Sequence, residues 1–405
     1  MKSLPRWAAC GLAAAALAVH AAAPLPALNV DRTQISVSGL SSGGFLANQL
    51  GYAYAGTFMG VGVFAGGPYM CAGHALYPAC MYDSSIGAAR LGTMQSDLER
   101  WSGGANDALS GVARQKVYLW VGGADTTVGP NPMAAVKAQY ERNGVPAANL
   151  SWNELPGAGH TFPTDFAGRG DSPCAGTSPP YVSNCGYDGA GAMFRQIYGA
   201  LHPRNDAPPD GNYRRFDQAR YTAGNPGMAS TGWLYVPASC AAGAACRLHV
   251  ALHGCLQSES QVGRDFVRNT GYTRWADTND IIVLFPQTRV DDSWHLTADS
   301  GGLPNPNACW DWIGWYGADF ARRDGAQMKA IKAMVDALAA GGAAAASSVL
   351  PAPAGLVASD PTTGSMTLRW DALPGASGYN VYRDGTRVNA SAVTGTSYVD
   401  AGLAA

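Results

Sequence analysis

Five short apolar runs, at residues 34–40, 61–65, 117–121, 248–252 and 281–285, punctuate the first 340 residues, and each gives way to turn-forming residues. Runs this short, rich in β-branched side chains and apolar on both faces, predict buried parallel strands. Helical periodicity appears between or after them, at residues 133–142 and 325–339. In the second, Met328, Ile331, Met334, Val335 and Leu338 share one face. Strands alternating with helices predict an α/β sheet.

Past residue 340 the pattern changes. Residues 341–354 are mostly Gly, Ala, Ser and Pro without a periodic apolar face, and read as a linker. Residues 355–405 read as all-β: alternation around Thr367, Leu368, Arg369 and Trp370, then at residues 379–382 before an Asp384-Gly385 turn. Leu368-x-Trp370, the run from Gly378 to Gly385, and Thr396-Ser397-Tyr398-Val399-Asp400 resemble the first strands of a fibronectin type III sandwich. Such a module has about seven strands in roughly 100 residues. Only half is present, so the expectation is a partial module, either degenerate or continued past Ala405.

At the other end, Lys2 and Arg6 precede an apolar run over residues 8–19 and the small residues Ala21, Ala22 and Ala23. This is the build of an export signal over residues 1–23, too short to span a bilayer. The catalytic domain is then expected at 24–340. With Cys10 removed, eight cysteines remain for an oxidising compartment. Proximity pairs Cys71 with Cys80, Cys174 with Cys185 and Cys240 with Cys246, which leaves Cys255 for Cys309. No C-x-x-C spacing suggests zinc. The net charge of −2 gives no electrostatic case for nucleic acid or an anionic membrane.

Gly39-Leu40-Ser41-Ser42-Gly43 carries the strongest chemical signal, because it sits between an apolar run and a helix expected over 44–54. A G-x-S-x-G turn in that setting holds a serine at the sheet edge beside a helix N-terminus. A serine hydroxyl needs a base. His160, in a small-residue loop after the strand expected at 150–155, is the candidate. Asp125, directly after the run at 117–121, is placed to orient the imidazole. Asp83, Asp165 and Asp188 follow no such strand. For the oxyanion, Leu252-His253-Gly254-Cys255 ends a strand, and the N–H groups of Cys255 and Ser42 are the candidate donors. His249 and His253, four apart on a strand, would alternatively form a metal pair, but no third ligand lies near, so no metal or cofactor is expected. An oxyanion loop so far after the nucleophile fits a circularly permuted α/β-hydrolase fold, with residues 325–339 brought immediately before residues 28–30.

Together with Asn305-x-Asn307-x-Cys309-Trp310-Asp311-Trp312, these motifs resemble the secreted poly(3-hydroxybutyrate) depolymerases, in their circularly permuted single-domain branch. The resemblance spans residues 28–340. It implies Ser41, Asp125 and His160 as the triad and Ser42 and Cys255 as the oxyanion hole. A polymer-contacting tryptophan is carried over to Trp312, with Trp310 its rival. It further implies an extracellular enzyme that acts on a polyester polymer or its oligomers; a monomer is expected. A feruloyl or acetyl-xylan type carbohydrate esterase shares the triad and is the competing enzyme. A non-catalytic polymer-binding or adhesion protein is the reading from another class.

Overall fold

The computed structural model describes residues 22–341 except 169 and 225, and 353–403 except 374, 375, 377 and 385. The expected export signal therefore lies outside the described residues, apart from its last two positions, as does most of the expected linker. Contacts divide the chain into two compact units, residues 1–343 and 344–405.

In the first unit the first three apolar runs fall in strands β1 (Val30–Leu40), β2 (Gly60–Phe64) and β3 (Lys116–Gly122), and the strand expected at 150–155 forms as β4 (Leu150–Leu155). The short strands β5 (Phe162–Thr164) and β6 (Val182–Asn184) pair with each other outside the main sheet. Strands β7 (Tyr213–Asp217), β8 (Thr231–Tyr235), β9 (Cys246–Leu252) and β10 (Ile281–Phe285) complete eight strands in the order β4-β3-β2-β1-β9-β10-β8-β7. The sheet is mixed rather than wholly parallel, because β8 runs against both β10 and β7. β7 does not read as an apolar run in the sequence: Tyr213-Arg214-Arg215 keeps two charged residues exposed, as an edge strand does. All five residues of β10 are buried, each large apolar side chain contributing about 1.5–3 kcal/mol.

Parallel pairing places the C-terminal ends of β1, β2, β3, β4 and β9 on one edge, with Gly39 beside Leu252 and Gly122 beside Leu155. The helix Ser42–Ala53 leaves that edge fully buried. At the opposite edge, the helix Ala326–Leu338 ends against the start of β1. The Leu28 N–H donates to Leu338 O at 2.8 Å, and Arg32 donates to Ala339 O at 2.9 Å. The end of this helix and the start of β1 thus lie side by side. The hairpin of β11 (Asp291–Leu296) and β12 (Gly302–Asn305) follows the sheet.

In the second unit, β13 (Val357–Ser359), β14 (Ser365–Arg369) and β17 (Ser397–Ala401) form an antiparallel sheet with β14 central, and β15 (Tyr382–Arg383) pairs with β16 (Thr386–Arg387). Trp370 and Val381 are buried, and the Trp370 ring meets Tyr379 edge-on. Residues 379–381, expected in a strand, form only a bridge from Tyr379 to Val393.

Candidate active site

Ser41 joins β1 to the helix Ser42–Ala53 with φ 57° and ψ −123°, a backbone that L-residues rarely hold. Two glycines make the turn feasible. A Cβ at Gly39 would run into the Gly43 carbonyl, and a Cβ at Gly43 would meet the carbonyls of Leu252 and His253. Gly43 therefore lets the end of β9, and the loop after it, close on the serine. The Ser41 N–H is taken by Phe64 O at 3.0 Å.

Asp125 follows β3 and is buried, and its Oδ1 accepts the N–H groups of Thr127 and Val128 at 2.8 and 3.0 Å. Its Oδ2 accepts from Nδ1 of His160 at 2.8 Å. Burial works to raise the Asp125 carboxyl, but the imidazole and the two amides outweigh it and hold the group below its ordinary range. His160 follows β4. Two residues beyond it, the Phe162 ring packs on Phe64, centroids 4.5 Å apart, which brings the histidine segment to the end of β2, where Phe64 O accepts the Ser41 N–H. Hydrogen bonds among the described residues join His160 to Asp125 and do not join it to Ser41. Such bonds are often open before substrate arrives.

The N–H groups of Ser42 and Cys255 donate to no acceptor in the described chain. The Gly254 backbone lies against Ser41: a Cβ there would sit 3.2 Å from the serine Cβ. Ser41, Ser42, Phe45, Cys255, Leu303 and Trp312 are among the residues lining a cavity of about 350 Å³, within the usual size of small-molecule sites. The Cys255–Cys309 disulfide ties this loop to the aromatic segment, and Cys71–Cys80, Cys174–Cys185 and Cys240–Cys246 close short loops elsewhere.

The two candidate tryptophans part company. Trp312 lines the cavity and stacks on Phe45 at 4.1 Å. Trp310 does not face the cavity. It is wholly buried in the hydrophobic core, and its Nε1–H donates to His253 O at 2.9 Å. Phe45, Val128 and Leu303 line the cavity without any sequence signal beyond being apolar. The ring nitrogens of His249 engage Ser36 and Ser38, and those of His253 engage Gly254 O and Thr288, so both rings already have partners.

No family model matches the chain. A polyhydroxybutyrate depolymerase of Talaromyces funiculosus is 49% identical over 332 residues, 82% of this chain and 96% of that protein. A poly(3-hydroxybutyrate) depolymerase of Delftia acidovorans is 45% identical and aligns with 98% of this chain and 78% of its own. Two solved structures match with TM-score 0.76 and 48% identity, over 79% of this chain and all of theirs. One is a crystal structure of PHB depolymerase from Penicillium funiculosum; the other is a serine-to-alanine PHB depolymerase complexed with an R3HB trimer. The fold is of the α/β-hydrolase type, with a mixed central sheet of eight strands. The chain belongs to the poly(3-hydroxybutyrate) depolymerase family.

Proposed function

We propose that this chain hydrolyses the ester bonds of poly(3-hydroxybutyrate) and its oligomers through an acyl-enzyme on Ser41. The observation that carries this reading is the His160–Asp125 hydrogen bond at the same sheet edge as a backbone-strained Ser41 that opens into an apolar cavity. Asp125 holds the imidazole with Nδ1–H toward the carboxylate, leaving Nε2 as the base. Nε2 takes the Ser41 proton as Oγ bonds to the ester carbonyl carbon. The electron pair of the carbonyl moves onto its oxygen, where the N–H groups of Ser42 and Cys255 receive it. When the intermediate collapses, the C–O bond of the ester breaks and His160 returns the proton to the departing 3-hydroxyl. Water, deprotonated by the same Nε2, then releases the acid and restores Ser41. The chemistry calls for no cofactor.

The relative solved with an R3HB trimer carries alanine for a serine, the change that would disarm such a nucleophile while keeping the ester intact. Trp312 and Phe45 supply the apolar wall against which a methyl-bearing polyester unit would lie. Four disulfides suit an oxidising compartment, and among the described residues no helix is long and apolar enough to cross a membrane. We read the chain as an exported monomer, with residues 1–23 as leader, 24–340 as catalytic domain, 341–354 as linker and 355–405 as a partial fibronectin type III-like module.

Clearing of a polyester suspension by wild type and by Ser41→Ala tests the assignment. The variant is expected to lose several orders of magnitude in rate; clearing at the wild-type rate would refute it. Faster initial rates on methyl ferulate than on 3-hydroxybutyrate oligomers would transfer the substrate to a sugar-linked ester.

A further inference from the structure

Two consecutive peptide planes precede the Cys255 N–H, those joining His253 to Gly254 and Gly254 to Cys255. Between them they carry four polar groups, and three are occupied. His253 O accepts from Trp310 Nε1 at 2.9 Å, the Gly254 N–H donates to Gln257 Oε1 at 2.7 Å, and Gly254 O accepts from His253 Nδ1 at 2.7 Å. Only the Cys255 N–H is left without an acceptor in the described chain. We propose that the side chains of His253 and Gln257 are positioning residues that aim the Cys255 N–H at the oxyanion. The proposal rests on the reading of that N–H as an oxyanion donor.

The argument is one of rigid geometry. In a trans peptide the C=O and the following N–H point to opposite sides of one plane. Holding Gly254 O therefore holds the direction of the Cys255 N–H. A carbonyl can only accept, so Nδ1 of His253 carries the proton and Nε2 must be the acceptor of a neutral ring. The surroundings enforce that tautomer. The Thr288 N–H lies 3.2 Å from Nε2, while the Thr288 hydroxyl gives its own proton to Ala308 O at 2.5 Å. Burial pushes the imidazole down to about 4, so it stays neutral in ordinary conditions.

Gln257 fixes the preceding plane and connects it further. It is buried, and its Nε2 donates to Pro180 O at 2.8 Å and Tyr181 O at 3.2 Å. Tyr181 O also accepts the N–H of Phe162 at 2.8 Å, two residues past His160. One amide side chain thus ties the oxyanion loop to the segment that bears the imidazole. Donors aimed in advance at developing charge cost no reorganisation during reaction, so a loosened plane should slow chemistry more than binding.

Steady-state kinetics on soluble 3-hydroxybutyrate oligomers test this with His253→Leu, His253→Asn, Gln257→Leu and Gln257→Glu. His253→Leu and Gln257→Leu should lower kcat by about 10- to 100-fold, below the loss of a whole oxyanion donor, with KM little changed and a matching loss of affinity for a boronate that mimics the tetrahedral intermediate. His253→Asn, which places an N–H near the Nδ1 position, should recover most of the loss. Gln257→Glu, nearly the same shape but facing two carbonyls with a carboxylate, should lower kcat even if the leucine variants fail to fold. An unchanged kcat in Gln257→Glu, an asparagine variant as damaged as the leucine one, or a loss confined to KM would overturn the proposal. Failure of the hydrolase reading itself would show separately, as wild-type enzyme whose Ser41 is not labelled by an organophosphonate.

Discussion

His160 Nδ1 and Asp125 Oδ2 lie 2.8 Å apart, with side chains 6% and 0% exposed, so this is a buried partnership that the solvent does not screen. The carboxylate has two further donors in Thr127 and Val128, which keep it ionised and fixed in orientation. Asp125→Asn preserves the shape but can present an N–H to Nδ1, and so favours the wrong tautomer. Its kcat should fall by about 10⁴-fold while organophosphonate labelling of Ser41 slows in parallel. A loss of less than tenfold would remove Asp125 from the role of orienting the imidazole.

Trp312 and Trp310 should respond differently to substitution. Trp312→Ala removes the ring stacked on Phe45 in the cavity wall, and is expected to raise KM for oligomers more than it lowers kcat. Trp310→Phe leaves His253 O without its indole donor and puts the loss in kcat and in thermal stability, by about 1–3 kcal/mol. Kinetics of the two variants side by side decide the matter; identical profiles would contradict the separation.

Stability should fall in mild acid through two buried histidines. Burial holds His249 down to about 3 and His253 to about 4, against an ordinary value of 6.5. Between those values and 6.5 the unfolded chain binds protons that the folded chain does not. Stability is therefore full above pH 6.5 and is lost as pH falls, by about 1.4 kcal/mol per pH unit for each histidine. Urea denaturation at pH 7 and pH 5 measures the loss. His249→Gln should be less stable at pH 7, since Ser36 and Ser38 lose ring partners, yet should show a shallower decline. An unaltered decline would count against the neutral buried ring.

The Cys255–Cys309 bridge closes a loop between residues 54 apart. Replacing both cysteines by serine should cost about 4 kcal/mol on chain-entropy grounds, and should lower kcat because the bridge anchors the loop that bears the Cys255 N–H. The Cys240–Cys246 bridge spans only 6 residues on the far side of β9 from that loop, and its double serine variant should leave kcat in place. Melting temperature and oligomer kinetics on the two double variants distinguish a local from a general effect.

Much of the candidate site follows from short-range stereochemistry. An apolar run, a G-x-S-x-G turn and a helix specify the strand–turn–helix around Ser41, because backbone conformation is set by neighbours a few residues away. Asp125 directly after β3 and His160 in the loop after β4 follow from the same reasoning, since parallel strands deliver their next residues to one edge. Adjacent cysteines mark their own short loops. The reversed direction of β8 leaves no mark in its five residues, which pair as well either way; only their place between β7 and β10 decides it.

The roles of Trp310 and Trp312 are of the same kind. They stand two apart in one loop, with the same side chain and similar neighbours. What separates them is a carbonyl on His253, 57 residues away, that one indole reaches and the other does not. Gln257, too, looks like any polar loop residue until Pro180 and Tyr181, more than 70 positions distant, come within reach of its amide. Local sequence determined which elements form and which residues can do chemistry. The tertiary structure alone decided which side chains face the cavity and which hold the loops still, because burial and hydrogen bonding are settled by segments far apart along the chain.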